Sequence, residues 1–199
     1  MEPYRPSLTR RAFLRFLAAL GWGSPALLAG CDGNQEPAPL AVPVGTVPEP
    51  AFRFPARAKL VLERAVGRLL PSDDGPGAAE AHVLGYLEVA LGGPPWIAAR
   101  EGILAWVGAL DRIAIRDWGA PGYAETTDES ADRILEFVQS GSADEGPLDG
   151  RVFVHDLLLM SLEGFLGDPT HGGNAGCAGW RFIGWSPGEP RPGHCGHGG

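Results

Sequence analysis

From residue 57 to residue 166, apolar side chains return at every third or fourth position, and the runs are separated by proline, glycine and polar turns. That period traces one face of an α-helix, and no segment shows the two-residue alternation of a half-buried strand. Leu62, Val66, Leu69 and Leu70 form the first run, which Pro71 closes. A second, over residues 78–91, places Val83, Leu84, Leu87 and Leu91 on one side before Gly92-Gly93-Pro94-Pro95 breaks it. The third, 96–118, carries Ile97, Leu104, Val107, Leu110 and Ile113 or Ala114. Thr126-Thr127-Asp128-Glu129 reads as a capping box opening a fourth helix through Ile134, Leu135 and Val138. The fifth, 151–166, is the most apolar, with Phe153, Leu157, Leu159 or Met160, and Phe165 directed inward. At about 1.5–3 kcal/mol for each well-buried Leu or Phe, this helix should be central. Gly67, Gly85, Gly102 and Gly108 interrupt helices and mark candidate points of close approach. The expectation is an all-α, single-domain bundle of about five helices.

The bundle occupies only part of the chain. Residues 1–30 read as a twin-arginine lipoprotein signal. Arg10-Arg11 is followed by Phe13-Leu14, then by a short apolar run from Phe16 to Leu28 softened by Gly21, Gly23, Ser24 and Pro25, then by the lipobox Leu28-Ala29-Gly30-Cys31. The run is too short and interrupted for a membrane span. Cys31 is the expected lipid anchor, and the twin-arginine route implies cargo that crosses already folded. That places the chain in the periplasm on a membrane, with Asp32 after the anchor favouring the inner one. Residues 31–56 form a tether with Pro at 37, 39, 43, 48, 50 and 55, semi-rigid through polyproline geometry. Residues 57–185 form the helical domain and 186–199 a Gly/Pro-rich tail.

Cleavage sharpens the charge. Loss of Arg5, Arg10, Arg11, Arg15 and Glu2 takes Lys+Arg from 16 to 12 and Asp+Glu from 24 to 23, so the mature chain sits near −11. No basic patch remains for nucleic acid or anionic lipid. With Cys31 acylated, Cys177 and Cys195 are left. In an oxidising compartment they either pair, closing a loop of 17 residues for roughly 3 kcal/mol, or bridge to another subunit.

Motifs for redox chemistry are missing from the sequence. There is no Cys-x-x-Cys-His for a covalent haem, and three cysteines cannot supply a four-thiolate iron–sulfur cluster. Gly172-Gly173-Asn174-Ala175-Gly176 lacks the dinucleotide fingerprint's spacing and follows a helix rather than a strand. No catalytic, cofactor-binding or metal-binding residue is assigned. The densest polar group is Asp168-Pro169-Thr170-His171-Gly172-Gly173-Asn174. Its residues suit a tight turn with local side-chain-to-backbone bonds, or a loop presenting Asp168, His171 and Asn174 to a partner or substrate. His194-Cys195-Gly196-His197 holds metal-compatible ligands, or is simply the end of a Gly-rich tail. Trp180 and Trp185, with Phe182 and Ile183, either pack over the bundle or anchor an interface.

Two segments resemble the gluconate 2-dehydrogenase subunit 3 family. One is the turn segment Leu69-Leu70-Pro71-Ser72-Asp73-Asp74-Gly75-Pro76-Gly77-Ala78. The other is Glu163-Gly164-Phe165-Leu166-Gly167-Asp168-Pro169-Thr170-His171-Gly172-Gly173-Asn174, followed by Gly179-Trp180-Arg181-Phe182-Ile183-Gly184-Trp185. The resemblance covers about residues 57–185. It implies a helical, non-catalytic accessory subunit of a membrane-associated dehydrogenase. The partner would be a glucose–methanol–choline-type flavoprotein holding FAD, with haem c in a multihaem cytochrome passing electrons on. In such complexes the flavoprotein commonly lacks an export signal and travels with the small subunit. Asp168, His171, Asn174 and Trp180 are then the expected partner contacts. Two other readings stand beside it: a free-standing periplasmic metal-dependent hydrolase using Asp168, His171 and the tail histidines, and a lipid-anchored binding or assembly protein.

Overall fold

The computed structural model describes residues 49–143 and 149–185, which hold six α-helices and no strand. The expected signal with Arg10 and Arg11, the anchor Cys31, most of the tether, and Cys195 with the tail lie outside the described residues. The helices are α1 (Ala56–Leu69), α2 (Val83–Ala90), α3 (Ile97–Trp118), α4 (Asp128–Gln139), α5 (Gly150–Leu166) and α6 (Ala178–Ile183). As its apolar sequence requires, α5 is central, packing against each of the other five. Its Phe153, Val154, Leu157 and Phe165 are buried. Leu159 turns outward and Met160 is only half-buried. Phe153 stacks on the fully buried Trp106 of α3, with ring centroids 5.2 Å apart and planes 12° from parallel.

Four expectations change. Residues 78–82 form turns rather than the start of the second helix, because His82 takes a left-handed conformation (φ 54°, ψ 36°) that an α-helix cannot include. Ile97, expected in the core, lies in the first turn of α3 and is 43% exposed. The buried stripe of α3 starts further on, at Gly102 and Ile103, and runs through Trp106, Val107, Leu110 and Ile113. The cap of α4 shifts by one residue: the Thr127 hydroxyl accepts from Ser130 N, while the buried Thr126 donates to Tyr123 O. Glu129, freed from the expected box, pairs with Arg133 one turn on. Among the four helix glycines singled out, a Cβ on Gly67 would meet nothing, whereas one on Gly85 would lie 3.0 Å from Gly172 O. Gly164, which the pattern did not single out, marks the tightest crossing of α2 and α5, where a Cβ would fall 2.9 Å from the Tyr86 ring.

Charged residues fasten the outer faces of α1. Arg57 makes bidentate contacts with Asp111 of α3 and Glu125, and Arg64 and Arg68 reach Asp128 of α4, Arg68 also Asp132. Such exposed pairs are worth about 0–1 kcal/mol each, so they orient α1 more than they hold it. The core, from Val61 and Leu62 of α1 to Leu157 of α5, supplies the cohesion.

Candidate functional site

A helix ends with carbonyl groups that have no partner within the helix. At the end of α5 these groups are met by the loop that follows. Gly167 N donates to Glu163 O, and Asn174 N donates to Gly164 O at 2.6 Å. The Trp180 indole Nε1 donates to Leu166 O at 2.6 Å, and Asn174 Nδ2 donates to Gly167 O at 2.9 Å. Asn174 Oδ1 in turn accepts from the buried Gly179 N at 2.8 Å. One fully buried asparagine thus binds the end of α5, the intervening loop and the start of α6. Asn174 is left-handed (φ 44°), a conformation that Asn tolerates better than most residues because its short amide bonds locally.

The glycines of this segment are explained by contact. Gly173 lies against the Gly164 backbone and Gly179 against Phe165 O, so that a Cβ on either would collide with main chain. Ala175 N donates to Ala81 O, which joins the loop to the turn before α2. Asp168 caps the short turn Pro169–His171, its Oδ1 accepting from Thr170 N at 2.8 Å and from Thr170 Oγ1 at 2.7 Å. Cys177, buried and left-handed at the start of α6, is disulfide-bonded.

The residues expected to face a partner therefore divide. Asn174 and Trp180 are buried among the described residues, with their polar side-chain atoms bonded to main chain. Asp168 is half-buried, and His171 is exposed at the tip of the turn. Within this segment, the exposed apolar side chains are neighbours of Trp180: Ile183, 50% exposed, and Trp185, 49% exposed. Trp180 and Trp185 meet edge to face at 4.5 Å, and with Leu166 and Ile183 they line an open apolar groove of about 260 Å³.

A second groove lies between the start of the described chain and α2, lined by Arg53, His82, Gly85, Glu88 and Gly172 among others. Its buried carboxylate, Glu88, accepts from Arg53 at 3.0 Å and from Phe54 N at 3.1 Å, fastening the segment before α1 to α2. The signal for Glu88 in the sequence is a carboxylate four residues after Leu84 on an apolar stripe, where burial demands a partner. Tyr86 donates to Glu163 at 2.7 Å, and burial together with that bond pushes its phenol well above the usual range. Among the described residues no group of three or more His, Cys, Asp or Glu is placed to hold a metal ion, and His155 lies on the exposed face of α5 beside Asp156. The tail histidines lie outside the described residues. No helix of the described residues is long and apolar enough to cross a membrane.

The fold and this loop define a small all-helical domain whose most distinctive sequence is a device for joining helix ends. The chain belongs to the gluconate 2-dehydrogenase subunit 3 family, whose profile matches residues 56–188, from the first residue of α1 to just past α6. It matches no curated protein and no solved structure.

Proposed function

We propose that this chain is the non-catalytic small subunit of an FAD-dependent sugar or polyol dehydrogenase complex. It assists folding of a glucose–methanol–choline-type flavoprotein subunit, carries it out by the twin-arginine route, and tethers it to the membrane through Cys31. FAD belongs to the flavoprotein and haem c to a cytochrome subunit, and the substrate is oxidised on the partner. The observation that carries this reading is the family match, which spans the whole helical domain and names a subunit of a dehydrogenase. The construction of the 164–185 segment supports it. Asn174 and the glycines around it hold the loop through main-chain bonds and close contacts, and a loop so held, with His171 exposed at its tip, suits docking, since its ordering cost is met before the partner arrives.

The test is recovery of the mature chain from membranes, followed by an absorbance scan of what accompanies it. Flavin bands, with haem bands if the cytochrome is retained, are the expected result. Replacing Arg10 and Arg11 by Lys should strand the flavoprotein's dye-linked activity in the cytoplasm. Substrate oxidation by the isolated chain, or normal export of the flavoprotein in the double variant, would contradict the proposal.

A further inference from the structure

Between α2 and α3 the chain turns through Gly92-Gly93-Pro94-Pro95-Trp96, and Pro94–Trp96 forms a single 3₁₀ turn that runs directly into α3. Residues 89–99 carry no charged side chain, and no polar one but the indole of Trp96. Pro94, Pro95, Trp96, Ile97 and Ala98 are all exposed, Trp96 by 50%. At about 100–120° of rotation per residue, consecutive positions over this stretch sweep more than one full turn, so the apolar tip is open on every side. An amphipathic helix, by contrast, hides one face and shows the other.

We propose that the 94–98 tip is a membrane wedge, seating Trp96 and Ile97 in the interfacial layer of a lipid bilayer, so that the fold itself makes a contact with the membrane. Three observations select lipid over a protein as the occupant. The first is shape: a partner's surface covers one side of a turn, whereas a fluid layer surrounds a protruding one, and this tip is apolar all round. The second is the backbone. An unpaired N–H is costly to take out of water, but Pro94 and Pro95 have none, while Gly92 donates to Val89 O, Trp96 to Gly93 O and Ile97 to Pro94 O. The third is the placement of charge. Glu88, the last charge before the tip, is buried and bound to Arg53 and Phe54 N. Arg100, the first after it, lies 4.8 Å from the centre of the Phe52 ring and donates to Leu91 O. Glu101, exposed one turn after Ile97, sets the depth at which the tip stops. Tryptophan favours that depth, with its ring in the apolar layer and its indole N–H among headgroup oxygens. Residues 51 and 52, which precede α1, pass the base of the turn: a Cβ on Gly92 would lie 3.4 Å from Ala51 N. The described residues nearest in sequence to the expected anchor thus sit beside the wedge. The wedge adds to that anchor and rests neither on it nor on the partner assignment.

The test uses the mature chain carrying Cys31→Ser, so that no acyl group contributes, and phosphatidylcholine vesicles brominated near the headgroup end of the acyl chains, which quench tryptophans at that depth. Quenching should rise saturably with lipid and disappear in Trp96→Phe, which keeps an apolar ring. It should persist in Trp185→Phe, which removes the other half-exposed tryptophan. Trp96→Ser and Ile97→Ser should each raise the lipid concentration needed for half-maximal co-sedimentation by about tenfold. Both residues are exposed, so unchanged thermal unfolding shows that the fold is intact. Absence of quenching at the highest lipid concentration, quenching that survives Trp96→Phe, or binding that neither serine variant weakens overturns the wedge. Binding that requires added phosphatidylglycerol also overturns it, since the tip carries no charge. Burial of Trp96 that grows with protein concentration without lipid assigns the tip to a second copy, and loss of quenching when the flavoprotein is bound assigns it to that partner; either result also overturns the inference.

Discussion

Asn174→Ala tests the reading of the 164–185 loop as a joint between helix ends. The substitution removes both side-chain hydrogen bonds, to Gly167 O and from Gly179 N. Leaving the buried Gly179 N–H without an acceptor costs about 1–3 kcal/mol, and loss of the bond to Gly167 O about 0.5–1.5 kcal/mol. Alanine must also adopt the left-handed conformation of residue 174 (φ 44°), at about 1 kcal/mol. The total is roughly 3–5 kcal/mol, a large share of the stability of a typical domain and a fall in melting temperature of roughly 10–20 °C. Urea and thermal unfolding followed by circular dichroism measure it. Asn174→Gly separates the causes: glycine loses the same bonds without the conformational cost, so it should be more stable than the alanine variant by about 1 kcal/mol. An alanine variant within about 1 kcal/mol of the parent would refute the joint, since surface substitutions commonly fall in that range. A glycine variant less stable than the alanine variant would refute the conformational part.

Two further outcomes follow from the packing and the charges. Gly67→Ala, where a Cβ meets nothing within 4 Å, should stabilise the chain by about 0.5–1 kcal/mol; Gly179→Ala, which drives a methyl into Phe165 O, should cost more than about 3 kcal/mol. Denaturant midpoints check both, and equal effects would show that the close approach of α6 to α5 is not real. The hydrogen bonds from Arg57 hold the Glu125 carboxyl below its usual range, so the native state binds fewer protons there than the unfolded chain. The resulting stabilisation is fully present above the unfolded carboxylate value, about pH 4.3, and is lost as pH falls through the lower native value. The stability difference between the parent and Arg57→Met should therefore shrink on acidification below about pH 4; a difference that stays constant from neutral to acid pH would rule the linkage out.

The all-helical class, the positions of the five longer helices and the central place of α5 were all legible in the chain. Each depends on local information: a 3.6-residue apolar period, a breaker at its end, and the number of large apolar residues in a run. What was not legible turned on contacts between segments far apart. His82 cuts α2 short by adopting a left-handed conformation within a turn that the loop at Ala175 braces, and no local pattern announces that. Gly164 is a glycine because Tyr86, 78 residues earlier, crosses it. Asn174 and Trp180 looked like surface contacts because polar and aromatic residues in a glycine-rich loop suit either use; only the tertiary structure directs their donors to the unpaired carbonyls of α5. Periodicity records which face of a helix is apolar, but a capping bond forms only when another part of the chain arrives, and that arrival is a property of the packed fold.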